Sequence, residues 1–511
     1  MTTLIPKYDQ GGTGAVNRPI NQKLGETISV LDFGADPTGV ADSAPAFNAA
    51  IAAVTSSNVT IMAEGIFTLN SPIIWNKTGI TLDGGNRVYS ILQPGKADIS
   101  SGSYPNAMIV NTVNAANGTI KSLRFNQANS FTGWCISAVE GGTGGQQALF
   151  SMALYDLWVS PGSLAAGFVT GGMYDSWADN IQFESCKTRF DLNIGANNVN
   201  ITNINEYVCY DELVKVGSFG GNNITIANVI SNDNARAFLF DFTNVTNINI
   251  NNVQHNHSAG TNVDPVGLLQ LNTCTNVNFT NFESTQTAGE AKGIYVISSK
   301  ANIAHGWINN IDGYLKYPLY VEGANNDVSF DDVNVIGSDY GQIATKNAGG
   351  DLVVTNCSLL NGYASITNAL GTETINVTFD GCKLLNSNIT TASIMMPYAT
   401  SGRFKIINCD LGKNSASSLI TYLFQFTGTG QLVIGNNTIV GVGTSGEYHP
   451  GSTQVVTFIS PNVGGTSYRA GSATPVGSVT PLFLGETYLN VTGYHFYKSY
   501  GTTNTEWSAL S

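Results

Sequence analysis

Charged side chains and long apolar runs are both scarce in this sequence. Only 11% of the 511 residues are Asp, Glu, Lys or Arg, a composition that is poor for surface helices and good for strands and tight turns. No run of 18 apolar residues occurs, and the start MTTLIPKYDQ has no hydrophobic signal core. We therefore expect a protein that is made in the cytoplasm, does not use the secretory route and does not insert into a membrane.

Basic residues and paired cysteines are also lacking. The chain has 22 Lys and Arg against 35 Asp and Glu, a net charge of −13, which argues against a nucleic-acid partner. Its seven cysteines include no Cys-x-x-Cys pair, so neither a zinc site nor a disulfide framework is predicted. His255 and His257 have no third histidine nearby, which does not favour zinc binding. We expect no metal and no cofactor.

A short alternating phrase returns about every 25 residues through the middle of the chain. Its form is VNITNI at Val199, in which apolar and polar residues alternate as in a half-buried strand and an asparagine takes the fifth place. Successive phrases begin 18, 25, 24, 29, 26, 25, 24, 25 and 27 residues apart. Their first residues are Ile181, Val199, Ile224, Ile248, Val277, Ile303, Val328, Leu352, Val377 and Phe404.

This period indicates a stack of small structural units. Propeller blades are longer, leucine-rich repeats need a leucine ladder, and helical repeats need a 3.6-residue periodicity, none of which the sequence has. We predict an all-β fold, a right-handed parallel β-helix (a β-solenoid) whose coils stack about 4.8 Å apart. The asparagine in fifth place predicts a turn with amide side chains bonded along the stack.

The sixth place of the phrase is apolar or cysteine in every repeat, so we expect it to face the core. A thiol in such a position behaves as a small hydrophobic side chain. The aligned phrases predict that four thiols lie in this inward column. They are Cys186, Cys357, Cys382 and Cys409.

One helix is predicted near the start of the chain, within residues 29–54. Asp42 and Ser43 followed by Pro45 are typical of a helix start. An apolar stripe follows, formed by Phe47, Ala50, Ile51 and Val54. A lone amphipathic helix before a solenoid is most simply a cap over the end of its core.

Parts of the sequence resemble known proteins. Phe33, Gly34, Ala35, Asp36, Gly39, Asp42 and Ser43 match the FGA-D-G-x-x-D-[ST] phrase of the pectate-lyase-like β-helix proteins. The stretch AVNRPINQKLGETISVLDFGA from Ala15, and the run from Pro481, resemble the corresponding parts of bacteriophage tailspikes. This resemblance implies a homotrimeric virion protein that binds and cleaves a bacterial surface polysaccharide. The pectin-hydrolase signatures Asn-Thr-Asp and Gly-His-Gly are absent, so pectin is not the expected substrate.

The repeats and the resemblance together predict four segments. Residues 1–27 form a linker that attaches to other phage tail proteins, and residues 28–58 form the cap with its helix. Residues 59–429 form the β-helix with the glycan site, and residues 430–511 form a small β-rich region for trimerisation. We expect parallel chains in the homotrimer, with the helix near the virion.

Polar residues stand two places after the inward column in the earlier coils. A polar residue at a core-type position indicates either that the strand has bent away or that this side lines a site. The residues are Thr188, Glu206, Ser231, His255, Ser284 and Asn310, whereas the late coils have Val335, Leu359, Leu384 and Leu411 there. The loops that follow the polar positions are also the richest in acids, histidines and tyrosines.

Glycoside hydrolysis needs two carboxyl groups, about 5 Å apart for retention or about 6.5–9.5 Å apart for inversion. Adjacent coils place equivalent positions about 4.8 Å apart, so Glu206 with Asp233, or Asp233 with Glu283, are possible pairs. The candidate catalytic residues are Glu206, Asp211, Glu212, Asp233, His255 and Glu283. The candidate substrate-binding residues are Tyr207, Tyr210, Arg236 and His257.

Three functions stay open at this point. The first is an endo-acting glycosidase of the tailspike type. The second is a polysaccharide lyase, with His255 or Tyr207 as the base and Arg236 neutralising a uronate. The third is a receptor-binding tail protein of the same fold without chemistry, in which the polar column is only a sugar-binding groove.

Overall fold

The structure is a computed structural model of the chain. It describes residues 7–8, 13, 16, 18–20, 23, 25–112, 115–128, 130–139, 148–160, 166–233, 237–257, 267–286, 292–310, 317–336, 341–360, 363–367, 374–386, 392–396, 402–413, 422–426, 431–440, 448–449, 455–458, 468–471, 475–477, 487–490, 495–499, 503 and 505–510. The chain divides into two compact units, Met1–Gln254 and His255–Ser511, here called unit 1 and unit 2.

Unit 1 consists of short strands and one α-helix. The strands are β1 (Lys7–Tyr8), β2 (Arg18–Pro19), β3 (Thr27–Ser29), β4 (Thr38–Asp42), β5 (Val59–Met62), β6 (Ile66–Leu69), β7 (Ile73–Trp75), β8 (Ile80–Asp83), β9 (Ile91–Pro94), β10 (Ala107–Thr112), β11 (Thr119–Lys121), β12 (Arg124–Asn126), β13 (Trp134–Val139), β14 (Ala148–Phe150), β15 (Ala153–Ser160), β16 (Gly167–Tyr174), β17 (Trp177–Glu184), β18 (Phe190–Tyr207), β19 (Val214–Val216), β20 (Gly221–Asp233), β21 (Phe238–Thr243) and β22 (Val245–His257).

These strands pair in parallel with their counterparts in the next coil. One stack runs β3, β5, β8, β11, β15, β17, β18 and β20. A second runs β4, β6, β9, β12 and β15, and a third runs β7, β10, β13, β16, β18, β19 and β21. Parallel stacks of this kind confirm the predicted β-solenoid.

The predicted helix is present as α1 (Ala44–Ala53), which begins after Ser43. Its buried side includes Phe47, whose ring meets the ring of Phe67 on β6 edge to face at 5.1 Å. Asn48 accepts a hydrogen bond from the backbone of Ile74 at 2.7 Å. The helix therefore packs on the first coils, as expected of a cap.

Unit 2 repeats the same architecture. Its strands are β23 (Gly267–Asn272), β24 (Thr275–Gln286), β25 (Lys292–Ile297), β26 (Lys300–Asn310), β27 (Tyr317–Glu322), β28 (Asn326–Ile336), β29 (Gly341–Lys346), β30 (Gly350–Thr355), β31 (Ser358–Leu360), β32 (Tyr363–Thr367), β33 (Ile375–Asp380), β34 (Lys383–Asn386), β35 (Ala392–Met396), β36 (Arg403–Ile407), β37 (Asp410–Lys413), β38 (Tyr422–Phe426), β39 (Gln431–Gly435), β40 (Thr438–Val440), β41 (Tyr448–His449), β42 (Val455–Phe458), β43 (Tyr468–Gly471), β44 (Thr487–Asn490), β45 (His495–Ser499) and β46 (Trp507–Leu510).

Three parallel stacks also build unit 2. One of the two stacks of eight strands runs β24, β26, β28, β30, β33, β36, β39 and β42. Pairing therefore continues to Phe458, beyond the predicted segment limit at residue 429. The strands β43 to β46 form a separate four-stranded, mostly antiparallel sheet. Across the described ranges, no helix has the length and apolarity needed to cross a membrane.

A residue with left-handed backbone conformation forms the turn within each repeat, where the sequence predicts an asparagine. The backbone φ of these residues lies between 52° and 66°. They are Asn180, Asn203, Asn228 and Asn252 in unit 1, and Asn281, His305, Asp332, Asn356, Gly381, Asn408 and Asn436 in unit 2. Asparagine tolerates this conformation better than other residues with a side chain.

The amides of this column bond along the stack. Asn228 Nδ2 donates to Asn203 Oδ1 at 3.0 Å, and Asn252 Nδ2 donates to Asn228 Oδ1 at 2.8 Å. In unit 2, Asn436 Nδ2 donates to Asn408 Oδ1 at 2.6 Å. The predicted amide ladder is confirmed.

The predicted register is wrong in two repeats. Ile181 pairs with Ile204 rather than with Val199, an error of five residues. Ala301, and not Ile303, pairs with Val277, an error of two residues. At Ile303 the alternation continues beyond six residues, whereas at Ile181 the apolar pair after the turn resembles the pair before it. The phrase therefore fits more than one position, and only the left-handed turn distinguishes them.

The corrected register changes the two inward positions. Cys186 lies after β17 and outside the column of Cys357, Cys382 and Cys409, although all seven thiols are buried and free. Two places further along, Phe183 and Ile308 replace Thr188 and Asn310. The polar residues two places after the inward column are therefore Glu206, Ser231, His255 and Ser284, all of them buried.

Candidate active site

The candidate site lies at one corner of successive coils in unit 1. The chain turns there between Glu184, which ends β17, and Phe190, which begins β18. One coil later it turns again between Tyr207 and Val214, the end of β18 and the start of β19. The two turns are stacked, since the backbone N–H of Tyr210 donates to the carbonyl of Cys186 at 3.1 Å.

Three carboxyl groups and two ammonium groups gather at these turns, and we call this set the acidic corner: Asp191, Asp211, Glu212, Lys187 and Lys215. Lys187 Nζ lies 3.8 Å from the carboxylate of Asp211. Lys215 Nζ lies 3.2 Å from Glu212 Oε1. With three acids and two lysines, the corner keeps a net negative charge.

Two neighbouring elements hold the Glu212 carboxylate in place. Thr188 Oγ1, in the preceding coil, donates to Glu212 Oε2 at 3.1 Å. Lys215, three residues further along the chain, contacts the other oxygen. Because both oxygens are engaged and the side chain is largely buried, Glu212 has a fixed orientation.

Lys215 also stands between two aspartates in the parallel ladder. Its register partners are Asp191 on β18 and Asp241 on β21. Although burial alone would lower it, the pKa of Lys215 is raised, because Glu212, Asp191 and Asp241 all stabilise the charged ammonium. Adjacent strands are about 4.8 Å apart, so Asp191 and Asp241 flank this cation on both sides.

Partial burial sets two acids of the corner apart from ordinary surface carboxylates. The pKa of Asp211 is raised above 3.8, first by burial and then by the negative charge of Glu212, against the opposing effect of Lys187. The pKa of Asp191 is raised as well, again mainly by burial. Acids with such shifts hold their protons to higher pH and suit proton donation.

A buried ion pair lies beneath the corner. Arg189 Nε is 2.7 Å from Glu206 Oε2, and both side chains are 0% exposed. Glu206, predicted as a catalytic residue, therefore faces the interior of the solenoid and is paired with a cation there. A substrate at the surface does not reach its carboxylate.

Aromatic and polar side chains line the outer face of the strands that lead into the corner. Tyr207, a predicted substrate-binding residue, is 63% exposed. The guanidinium of Arg124 stacks over the Trp158 ring at 4.0 Å. Gln182 Nε2 donates to Glu184 Oε1 at 2.8 Å. An exposed aromatic ring such as that of Tyr207, beside amide and carboxylate groups, is suited to packing against a sugar ring while the polar groups bond its hydroxyls.

The remaining predicted residues have different positions. His255 is buried in unit 2, where its Nδ1 lies 3.1 Å from Ser284 Oγ. Glu283 is exposed on β24 of the same unit. Tyr210 is partly buried in the turn before Asp211. The side chains of Asp233 and His257, and the whole of Arg236, lie outside the described residues.

The structure thus brings together Asp211 and Glu212 at the corner, with Glu206 beneath them. The sequence prediction missed Lys187, Arg189, Asp191, Lys215 and Asp241. A signal for three of these is present: the second strands read FDL, VKV and FDF around residues 191, 215 and 241. A charged residue between two apolar ones points outward in such a strand. Among the described side chains, no group of three or more His, Cys, Asp or Glu is arranged to hold a metal ion.

No protein-family model and no curated protein matches the chain. Among solved structures, the catalytic unit of an α-1,3-glucanase of glycoside hydrolase family 87 from Streptomyces thermodiastaticus aligns with 86% of this chain and 69% of its own, at 16% identity and a TM-score of 0.38. Tailspike protein 3 of bacteriophage CBA120 aligns with 99% and 73%, at 12% identity and a TM-score of 0.32. The tailspike protein of E. coli bacteriophage HK620, solved with a pentasaccharide, aligns with 88% and 82%, at 13% identity and a TM-score of 0.34.

Proposed function

We propose that this chain is a bacteriophage tailspike that binds a bacterial surface polysaccharide and hydrolyses it at the acidic corner. The observation that carries the proposal is the pairing of two neighbouring acids in unlike surroundings. Asp211 is half-buried with a raised pKa, whereas Glu212 is held between Lys215 and Thr188. Two carboxyl groups with different environments are what glycoside hydrolysis requires.

The two acids take different roles in this proposal. Asp211 keeps its proton to higher pH and donates it to the oxygen of the leaving sugar. Glu212, held by Lys215 and Thr188, either attacks the sugar carbon or activates a water molecule. Asp191, with a raised pKa of its own, is the nearest substitute for Asp211 as the acid.

The polymer binds to the outer face of the strands that lead into the acidic corner. Tyr207 offers an exposed ring on β18, and the partly buried Trp158 lies two coils earlier on β15. Glu184 and Gln182 offer polar groups on β17 between them. Each good stacking or hydrogen-bonding contact positions the chain so that one linkage lies at the corner.

Assembly and location follow from the resemblance of the sequence near Ala15 and Pro481 to tailspikes. In this proposal the protein is a virion component, a homotrimer, and is joined to other tail proteins through its N-terminal segment. The solenoid carries the glycan site, and the C-terminal segment contributes to trimerisation.

A polysaccharide lyase is the second candidate, because the exposed Tyr207 stands at the same corner as Lys187. A tyrosine is a possible base for proton abstraction, and a lysine neutralises a uronate carboxylate. His255 is less suited to that role, since it is fully buried.

The test is cleavage of capsule or O-antigen from a susceptible host by the full-length protein. Asp211→Asn and Glu212→Gln keep the shape of each side chain and remove its charge. We expect each to lower the rate of reducing-end release by about 10²–10⁴-fold, with glycan binding retained. The matched control is Asp332→Asn in unit 2, an exposed turn residue paired only with His305, which should leave the rate unchanged.

The other outcomes of this experiment favour the other candidate functions. An unsaturated uronate product, seen by its ultraviolet absorbance, indicates a lyase. Binding without any cleavage by the wild-type protein indicates a receptor-binding tail protein. If both corner variants cut at the normal rate, the corner is not the active site, and Asp233→Asn and Glu283→Gln test the remaining predicted acids.

A further inference from the structure

The Arg189–Glu206 pair is unusual because of its place in the core. Both side chains are completely buried, and burying two charges is expensive even when they are paired. The register partner of Glu206 in the preceding coil is Phe183, so an apolar side chain fits the same inward position. Filling the core does not require a charge there.

The guanidinium makes further contacts that explain its presence. Arg189 Nη1 donates to the backbone carbonyl of Asp211 at 2.6 Å and to that of Lys187 at 2.8 Å. These two residues belong to successive stacked turns of the acidic corner. Hydrogen bonds from a charged donor are about twice as strong as neutral ones, so Arg189 ties the two turns together from below.

Glu206 holds the guanidinium in the orientation that these bonds need. Its Oε2 lies 2.7 Å from Arg189 Nε, whereas the carbonyl contacts are made by Nη1. Arginine presents its donors in a rigid fork, so fixing one nitrogen fixes the others. A neutral residue in place of Glu206 would leave the arginine buried without its counter-charge.

We infer that Arg189 and Glu206 are positioning residues, which hold the turn that carries Asp211 and so set the place and the surroundings of its carboxyl group. The effect of this pair on catalysis rests on the proposed function, whereas its effect on the structure of the turn does not. Asp211 faces Glu212, Lys187, Arg189 and Lys215, and its distance from each depends on this turn.

The sharpest test replaces both members of the pair. Arg189→Met with Glu206→Leu removes the carbonyl contacts without leaving an unpaired charge, and such replacements often fold well. We expect a folded protein whose kcat is at least about 10-fold lower while KM changes by less than about 3-fold. The alkaline limb of its pH–rate profile should move, because Asp211 loses both its fixed surroundings and the charge of Arg189, which lowers the pKa of Asp211.

Two further variants separate positioning from general damage. Ser231→Ala changes the next residue of the same inward column and should leave kcat and the pH profile unchanged. Arg189→Lys keeps the charge but not the fork, and we expect it to show the same reduced kcat as the double variant. A stably folded double variant with wild-type kcat and pH profile overturns the inference.

Hydrogen exchange gives a readout that does not depend on activity. In the double variant, amides of residues 208–213 should exchange at least about 10-fold faster, while those of residues 177–182 stay as in the wild type. Unchanged exchange in 208–213 overturns the positioning role even if the protein cleaves glycan. Faster exchange in the double variant, together with a wild-type protein that cleaves no glycan, supports positioning and rejects the proposed hydrolysis.

Discussion

Asp211 shows how a single side chain acquires a role from its surroundings. Burial and the charge of Glu212 raise its pKa above 3.8, so the folded protein holds this proton more tightly than the unfolded chain does. The stability that this contributes is therefore present at low pH and is lost as the pH rises through the raised pKa. The same titration removes the proton that a general acid must donate.

A pH dependence of the reaction follows from this residue. We predict that kcat/KM falls as the pH rises through the raised pKa of Asp211, and that this alkaline limb is absent from the residual activity of Asp211→Asn. Rates of reducing-end release over a range of pH measure it. The profile of Asp332→Asn should match the wild type, and an alkaline limb that survives in Asp211→Asn would assign the acid to another group, first Asp191.

The stacked thiols in unit 2 give a second prediction for single residues. Hydrogen bonds to Cys382, together with burial, raise the pKa of Cys357 and of Cys409, so neither forms the reactive thiolate. We expect these thiols to resist labelling until the protein unfolds. Cys382→Ser should lower the free energy of unfolding by about 1–3 kcal/mol, because a buried hydroxyl is costlier to desolvate than a thiol.

The control for this experiment is an exposed residue in the same unit. Asp332→Asn should change the free energy of unfolding by about 0.5 kcal/mol or less. Rapid labelling of all three thiols in the native protein would contradict the inward position of this column.

The charged residues of the site were the hardest to predict. Glu206 is predicted in a site because a polar residue at a core-type position indicates either that the strand bends away or that this side lines a site. The structure shows a third explanation, a buried ion pair. Its partner Arg189 stands in the preceding coil, and nothing in the local pattern joins the two residues. Asp191 and Lys215 escaped prediction for the same reason, since their meeting depends on the pairing of β18 with β19.

Among the repeated elements, the turn with left-handed backbone is the one that defines a coil. Asn228 has a φ of 57° and bonds to Asn203 and Asn252 through its side chain. A residue with a Cβ costs about 1–2 kcal/mol in this conformation unless its side chain makes stabilising hydrogen bonds. Glycine avoids that cost, and Gly381 takes the equivalent place in unit 2 with a φ of 66°.

This comparison predicts an order of stabilities. Asn228→Ala should lower the free energy of unfolding by about 1–2 kcal/mol or more, because it loses the ladder and keeps the strain. Asn228→Gly loses the ladder alone and should be the more stable of the two by about 1 kcal/mol. Denaturant unfolding measures both, with Asn200→Ala on an extended part of β18 as the control. An alanine variant as stable as the glycine variant would contradict the role of the left-handed turn.

The strands themselves were largely predictable, and their register was less so. Alternation identified the strands and the inward column, because one face of each strand is buried. It placed Ile303 wrongly because alternation has a period of two and continues beyond the phrase. It placed Ile181 wrongly because the inward pair after the turn at Asn180 resembles the pair before the turn. The helix is predicted well because the Asp-Ser-x-Pro start and the apolar stripe are local signals, although the Ser43 hydroxyl bonds to Asp36 and does not cap the helix.

At the scale of the whole molecule, the resemblance to tailspikes predicts a homotrimer. Light scattering at micromolar concentration should give a particle of three times the chain mass of 54.0 kDa. A particle with the mass of one or two chains would contradict the trimer. The measurement is independent of the glycan, so it tests assembly even where no substrate is known.

The amide ladder also has a consequence for how the chain reaches its native state. Asn228 bonds to residues 25 positions before it and 24 positions after it, so each coil is templated by the coil completed just before. A slip of two residues keeps every apolar side chain inward, and the left-handed turn is what makes the slipped pairing fail. Loss of this turn should therefore lower the yield of native protein on refolding, since slipped chains expose unpaired edges and associate wrongly.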